Sequence, residues 1–408
     1  MSVPVPDAPS VVVVGASLGG LRTASALRRL GFKGRITLAG EETHLPYDRP
    51  PLSKEVLTGE KQPDDAIFRT ADFFEDQGIE LRLGSPAVVL DGDARSITLA
   101  SGERLGYDAA VIATGARPRR LPGVGSMPGV HVMRTLDDSR AIRSALDDAR
   151  HLVVVGAGFI GSEVAASARS RGIEVTVIEA ADQPLVTAVG AKVGQRCAAL
   201  HGAYGAELRC GVGVVGVEDG AEGLAVHLTD GTAVPADVVV VGIGVIPNIE
   251  WLEGSGIETD RAVICDEYMR TSLPGVYALG DLASWYNRRF EQRMRIEHWT
   301  NTVEQSTAVA RNIVNSFDGD DPVAYSGIPY FWSDQYGHRL QLVGLASQDE
   351  VVFVHDPPGE RTLLALYRQD DRLGGAFAID MMGPLMKMRR LLLRDAAFDE
   401  ALEHAATL

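Results

Sequence analysis

An α/β fold is predicted for this chain: two parallel-sheet units of one kind, followed by a smaller α+β domain built on an antiparallel sheet. Three observations predict it. Residues 11–41 read VVVVGASLGGLRTASALRRLGFKGRITLAGE, and residues 151–179 read HLVVVGAGFIGSEVAASARSRGIEVTVIE. Each is an apolar β-branched run, a glycine-rich turn, an Ala-rich helical stretch and a second strand ending at an acidic residue. The third observation is a set of short strand-like runs beyond residue 340, spaced as in an antiparallel sheet. The repeated unit is the Rossmann-like dinucleotide-binding motif. Two copies in one chain imply two dinucleotides held at once, a flavin (FAD) and a nicotinamide (NAD), with electrons moving between them.

Taken in order, the N-terminus MSVPVPDAPS carries no basic leader segment, so no signal peptide is expected. The first turn, GASLGG, keeps Gly15, Gly19 and Gly20 but has Ser17 where the pattern has its middle glycine, the one that lets the backbone approach a pyrophosphate. Serine is small, and its hydroxyl can itself donate to a phosphate. A helix is expected over residues 21–30, its N-terminal amides and positive dipole end aimed at the anion. Glu41, or its neighbour Glu42, stands where a carboxylate takes ribose hydroxyls. Prolines 46, 50 and 51 stiffen PYDRPPLSK, so this loop delivers Arg49 and Lys54 in fixed positions. YDAAVIATG then reads as a strand closing on Ala113, Thr114 and Gly115.

The second turn is the strict fingerprint: Gly156, Gly158, Phe159, Ile160 and Gly161, after a strand at 152–155 and before a helix at 162–170 that carries Glu163. Glu179 closes the strand 174–179. A carboxylate there accepts from the adenosine ribose and repels a 2′-phosphate, and residues 180–182 (AAD) offer no arginine to welcome one. NADH is therefore expected over NADPH. VVVVGIG repeats the strand-end logic at Gly242, Ile243 and Gly244. GVYALGD reads as a short buried strand, with Gly280 for close backbone approach and Asp281 as a hydrogen-bonding carboxylate.

EHWTNTVE at 297–304 places Glu304 three residues after Asn301, the spacing of a capping box, so a helix is expected to begin there and point its N-terminus at the flavin pyrimidine. His298 is not needed as an acid, because hydride transfer to flavin requires no side-chain proton donor. Trp299 is expected beside the flavin ring; Trp332 either flanks it or fills the core. LQLVG, EVVFVHD, TLLALYR and GGAFAID read as strands of the last sheet. MGPLMKMRRLLL reads as a core-facing helix with a basic outer face in preference to a membrane-surface helix. The expected domains are residues 1–115 with 246–322 for FAD, 116–245 for NADH, and 323–408 as the C-terminal domain.

The 408 residues are 45% hydrophobic, enough for two or three cores, and the net charge of −16 argues against nucleic acid or an anionic membrane as partner. No apolar run approaches the ~20 residues of a membrane span. Cys197, Cys210 and Cys265 are the only cysteines, and none forms a CxxC or CxxxxC pair. A redox dithiol and a cysteine-rich metal site are not expected on that spacing, and three scattered thiols fit a reducing cytoplasm.

PYDRPPLSK, Ala113–Thr114–Gly115, residues 156–163, Gly280–Asp281, Glu297–His298–Trp299 and YFWSDQ at 330–335 together resemble the FAD-dependent pyridine-nucleotide reductases. The resemblance covers roughly residues 10–400 and is nearest to the NADH-dependent ferredoxin reductases of bacterial oxygenase systems, of the putidaredoxin reductase and biphenyl dioxygenase reductase kind. It implies FAD in the first unit and NADH in the second. It also implies Arg49 and Lys54 close to the flavin, Asp281 on the ribityl chain and Glu163 near the nicotinamide. A fixed cation stabilises the negative charge that a flavin gains with hydride. Relatives that exchange disulfides carry a cysteine pair in the corresponding stretch; this chain has no cysteine before residue 197.

The resemblance implies an iron–sulfur ferredoxin as electron acceptor, supplying a haem monooxygenase or a Rieske-type oxygenase. Ferredoxins of this kind are acidic, so an acidic reductase needs local basic faces. Arg288, Arg289, Arg293 and Arg295 form one cluster; Lys387, Arg389 and Arg390 form another. A monomer or weak dimer is expected. Two other readings share the motifs: an NADH oxidase or a quinone- or monodehydroascorbate-type reductase, and a redox sensor of the apoptosis-inducing-factor type.

Overall fold

The computed structural model describes residues 8–125, 127–221, 223–346 and 350–407; the N-terminal residues 1–7, within the stretch predicted to hold no signal peptide, lie outside these. The chain sorts into two compact units. The first takes in residues up to 48, 67–117 and 246–327; the second takes in 49–66, 118–245 and everything from 328 onward. The proline-stiffened segment with Arg49 and Lys54 thus belongs to the second unit, as do the C-terminal sheet and helices.

The first unit is organised by a five-stranded parallel sheet in the order Val276–Ala278, Ala109–Ile112, Ser10–Val14, Arg35–Ala39, Ile79–Arg82. The central strand is covered on both faces, which is why its sequence is an unbroken run of valines rather than an alternating one. The helix that follows spans Leu18–Arg29 and buries Leu21, Ala24 and Leu27. It starts three residues earlier than predicted. Gly19 and Gly20 join its first turn because, lacking a Cβ, they can lie against neighbouring groups; a methyl on Gly20 would meet the Gly15 carbonyl at 2.1 Å. The helix ends in a Schellman motif, with Gly31 at φ +92°, its amide on the Arg28 carbonyl and the Phe32 amide on the Leu27 carbonyl, both at 3.0 Å.

The second unit repeats the pattern. Its parallel sheet runs Glu207–Cys210, Glu174–Glu179, His151–Val155, Val238–Val241, Val130–Val132. The helix Phe159–Ser170 again begins earlier than expected, directly at the turn, because Gly161 abuts the Gly156 carbonyl. A five-stranded antiparallel sheet follows, in the order Tyr330–Gln335, His338–Gly344, Arg372–Ile379, Leu363–Gln369, Val351–His355. All four predicted C-terminal runs are strands of it, and the YFWSDQ motif supplies the fifth. The helix Met382–Leu393 buries Leu385, Met388, Leu391 and Leu392 and exposes Lys387 and Arg390, so it is core-facing with a basic outer side. No helix among the described residues is long and apolar enough to cross a membrane.

One buried base bears on stability. His201 is 1% exposed, with Nδ1 2.8 Å from the Tyr336 hydroxyl and Nε2 3.4 Å from Ser162 Oγ. Burial pushes its imidazole down from 6.5 to about 4. Between those two pH values the unfolded chain binds a proton that the native state refuses, so stability is lost as pH falls through this window. The thermal midpoint should therefore drop on acidification from pH 7 towards pH 4, and drop less steeply in His201→Asn. An unchanged slope in that variant would remove His201 from the acid response.

Candidate functional site

The first turn is built by backbone contact. Gly15 sits at φ +117°, its amide donates to the Ala39 carbonyl at 2.7 Å, and a Cβ on it would lie 2.0 Å from the Ala113 carbonyl. The strand end at Ala113 is thereby held against the turn, with the Ala113 amide on the Val14 carbonyl at 2.7 Å. Ser17 is the N-cap of the helix and Gly19 is buried beneath it, accepting from Ser306 Oγ at 3.1 Å. Beyond Ala113, Thr114 Oγ1 donates to the Asn248 carbonyl at 2.8 Å, and Asn248 returns its amide Nδ2 to the Thr114 carbonyl at 3.0 Å. Gly115, at φ +62°, accepts the Asn248 amide at 2.9 Å. Gly280 (φ +79°) donates its amide to Gln305 Oε1 at 2.7 Å. The other end of that buried amide, Gln305 Nε2, has no partner among the described residues. A buried donor left without an acceptor beside Gly280 and Asp281 suits a polar ligand at this point. Glu41 is exposed just past the second strand, while Glu42 accepts from the Tyr47 hydroxyl.

The second turn is close-packed in its walls and open at its centre. A Cβ on Gly156 would stand 2.5 Å from the Gly242 carbonyl, and one on Gly161 would stand 2.0 Å from the Gly156 carbonyl. At Gly158, by contrast, the nearest atom to an added Cβ is 3.9 Å away. The middle glycine is therefore not required by protein packing. Its surroundings leave room for a phosphate to approach the N-terminal amides of Phe159–Ser170. Glu179 bridges two loops, accepting from the Ala157 amide at 2.8 Å and the Ala181 amide at 2.9 Å. Ile160 and Ile243 are exposed on either side of the turn, and Gly244 takes φ +93°. Both turns thus fit the dinucleotides that the sequence implies.

Lys54 and Glu163, expected near the two reacting rings, meet within the second unit. Lys54 Nζ lies 2.6 Å from Glu163 Oε2 and also donates to the Pro50 carbonyl at 2.9 Å. Ser53 Oγ gives Oε2 a second hydrogen bond at 2.6 Å, and Ser333 Oγ gives Oε1 one at 2.7 Å. The carboxylate is 3% exposed, and three donors offset the cost of burying it. Arg49 donates to the Arg134 carbonyl. Trp332 is half-buried and stacks on Tyr330 at 6.2 Å, while Phe331 and Phe159 pack at 4.4 Å.

At residues 297–304 the predicted capping box does not form. The helix spans Trp299–Asp318 with His298 as N-cap; Asn301 Nδ2 instead donates to the Ile296 carbonyl, and both Asn301 and Glu304 accept from the Tyr325 hydroxyl. The buried tyrosine hydroxyl needs an acceptor and takes both side chains. Burial pushes the His298 imidazole down to about 4, so it is neutral near pH 7. Trp299 Nε1 donates to Asp48 at 2.8 Å, and the Arg22 guanidinium lies 5.8 Å above its ring.

The cysteines are free; Cys197 and Cys265 are buried, which pushes each thiol up to about 12. Of the basic clusters, Arg288 is paired with Glu267 and Arg295 with Glu297, and Arg293 donates to the carbonyls of Cys265 and Ser284 at 2.8 Å. Arg289, half-buried, donates its backbone amide to Asn287 Oδ1 at 3.0 Å. Lys387 and Arg390 are exposed and Arg389 is half-buried.

Sequence reasoning did not find Asn248 as the stitch to Thr114, Gln305 behind Gly280, or Ser53, Ser333 and Gln335 around Glu163. The one available signal was the polar residue at an inward position of YFWSDQ.

The family described as pyridine nucleotide-disulphide oxidoreductase matches residues 9–306, and the reductase C-terminal family matches residues 330–406. The chain is similar to the ferredoxin–NAD(+) reductase component of the p-cumate 2,3-dioxygenase system of Pseudomonas putida: 40% identity over 365 residues, 89% of this chain and 88% of the relative. Among solved structures it is similar to a ferredoxin reductase for the CYP199A2 system from Rhodopseudomonas palustris, with TM-score 0.89 and 35% identity, covering 98% of this chain and 100% of that one. It is similar also to the reductase in a covalent putidaredoxin reductase–putidaredoxin complex, with TM-score 0.90 and 31% identity over 98% of each chain.

The contrast between the glycines gives a test. Ala is worth up to ~1 kcal/mol over Gly in a helix, yet Gly161→Ala should lower the thermal midpoint, since its methyl would collide with the Gly156 carbonyl. Gly158→Ala should leave the midpoint unchanged and weaken NADH binding, read by calorimetric titration. Equal effects of the two changes on stability would contradict the assignment of Gly158 to the ligand.

Proposed function

We infer, from a chain that belongs to the pyridine nucleotide-disulphide oxidoreductase family, how its two turns divide the work. The protein is an FAD-containing NADH:ferredoxin oxidoreductase, and its partner is an iron–sulfur ferredoxin that supplies an oxygenase. The observation that carries this is the pair of strand–turn–helix units in one chain, in a relative-length match and without a cysteine pair near the first turn. FAD held by the first turn would supply the conversion between a two-electron hydride donor and a one-electron acceptor.

The residue roles follow as our reading. Gly15, Ser17, Gly19 and Gly20, with the first amides of Leu18–Arg29, receive the flavin pyrophosphate, and Glu41 takes its ribose. Ala113, Thr114 and Gly115, locked by Asn248, together with Gly280 and Asp281, line the rest of the flavin site. His298, neutral through burial, contributes the start of the helix Trp299–Asp318 rather than a charge. Gly156, Gly158, Phe159, Ile160 and Gly161 receive the nicotinamide dinucleotide, and Gly242, Ile243 and Gly244 wall it. Glu179 takes the adenosine ribose and disfavours NADPH by charge. Lys54 is read as the fixed cation and Glu163 as the group that holds it, with Arg49 and Trp332 in the same unit.

Docking of an acidic ferredoxin falls to exposed basic residues. Among the described residues neither Lys387 nor Arg390 has an ion-pair partner within the chain, whereas Arg288 and Arg295 are already neutralised by Glu267 and Glu297. Lys387 and Arg390 therefore contribute more to long-range attraction.

The decisive assay is anaerobic flavin bleaching together with cytochrome c reduction, driven by NADH with and without an added [2Fe–2S] ferredoxin, NADPH serving as control. Ferredoxin-dependent turnover that prefers NADH is expected. Fast bleaching with no ferredoxin effect and turnover on oxygen or quinones would contradict the reading. Charge reversal at Lys387 and Arg390 should raise the apparent ferredoxin KM about fivefold or more, ~1 kcal/mol, and flatten its salt dependence. Reversal at Arg288 and Arg289 should do so less, and equal effects would refute the ranking.

A further inference from the structure

The strand Tyr330–Gln335 alternates in the usual way: Phe331, Ser333 and Gln335 are buried, while Tyr330, Trp332 and Asp334 are half-exposed. An inward row that continues Phe331 with a serine at 0% and a glutamine at 1% exposure is costly unless every polar atom is used. The two side chains form a directed chain. Ser333 Oγ has one proton, and the Glu163 carboxylate 2.7 Å away only accepts, so the hydroxyl must donate to it. Ser333 Oγ can then only accept from Gln335, which presents Nε2 at 3.1 Å and leaves Oε1 without a partner. Gln335 thus gives up one hydrogen bond to hold the serine in one rotamer.

Among the described residues Ser333 supplies the sole hydrogen bond to Glu163 Oε1, while Lys54 and Ser53 share Oε2. Without it, the buried carboxylate has an unsatisfied oxygen and is free to turn about its last bond to recover a donor. Any such turn takes Oε2 away from the Lys54 ammonium. We propose that Ser333, oriented by Gln335, is a positioning residue for the reductase reaction: it fixes the plane of the Glu163 carboxylate and, through it, the place of the Lys54 cation. This deepens the reading given above and rests on it, since Lys54 and Glu163 take part in the reaction only under that reading.

The test uses the FAD-loaded protein with Glu163→Gln, Ser333→Ala, Gln335→Met and the double variant Glu163→Gln/Ser333→Ala. Three quantities are read: the anaerobic rate of flavin reduction by saturating NADH, the flavin midpoint potential and the NAD+ dissociation constant. Ser333→Ala should slow reduction about tenfold and lower the potential, with the NAD+ dissociation constant unchanged. Gln335→Met should shift both in the same direction by less. The double variant should be no slower than Glu163→Gln alone, because the serine acts only through that carboxylate. Additive losses, or a Ser333→Ala protein with the parent's rate and potential, would overturn the positioning role while leaving the reading of Glu163 intact. A Glu163→Gln protein with the parent's rate and potential would instead overturn that reading, and the inference with it.

Discussion

Each unit depends on a close approach between two stretches of its own main chain. At Gly15 and Gly20 in the first, and at Gly156 and Gly161 in the second, an added methyl would stand 2.0–2.5 Å from a carbonyl. No side chain fits, so the helix can begin directly at the strand end. Only then do its free amides and dipole converge on one point at the sheet's edge, where a pyrophosphate gains most from them. The valine strands, the Ala-rich helices and the long helix Trp299–Asp318, which hydrogen-bonds Gly19 through Ser306, hold that turn in place.

A second constraint is an ion pair removed from water. Glu163 is 3% exposed and lies on a helix whose neighbours are alanine, valine and serine. An isolated carboxylate there would cost several kcal/mol. Three donors from segments more than a hundred residues apart in sequence compensate for it, and in doing so they fix those segments relative to one another. The arrangement trades stability for the definite placement of one cation.

The parallel sheets and both turns were legible because backbone geometry leaves a direct trace in sequence: glycines at fixed spacing, continuous apolar strands and an acidic strand end. The family followed from the same residues. The helix starts at Leu18 and Phe159 were missed because glycine is read as a helix breaker, whereas here its missing Cβ is what admits it. The capping box at Asn301 and Glu304 was misread because the competing acceptor need of Tyr325, far along the chain, has no local signature. For the same reason the partners of Glu163 were invisible: Ser53 and Ser333 are ordinary residues until the fold brings them to one carboxylate. Charge clusters were legible as composition, but the pairing of Arg288 with Glu267 was not.

Under the proposed function the two turns hold two different dinucleotides at the same time. The most direct measurement of this is stoichiometry: the flavin content of the purified protein, followed by calorimetric titration of that protein with NAD+ and analysis of flavin released. One FAD per chain, one further NAD+ per chain and no flavin displaced are expected. Displacement of FAD by NAD+, or saturation of the chain by a single dinucleotide, would contradict it.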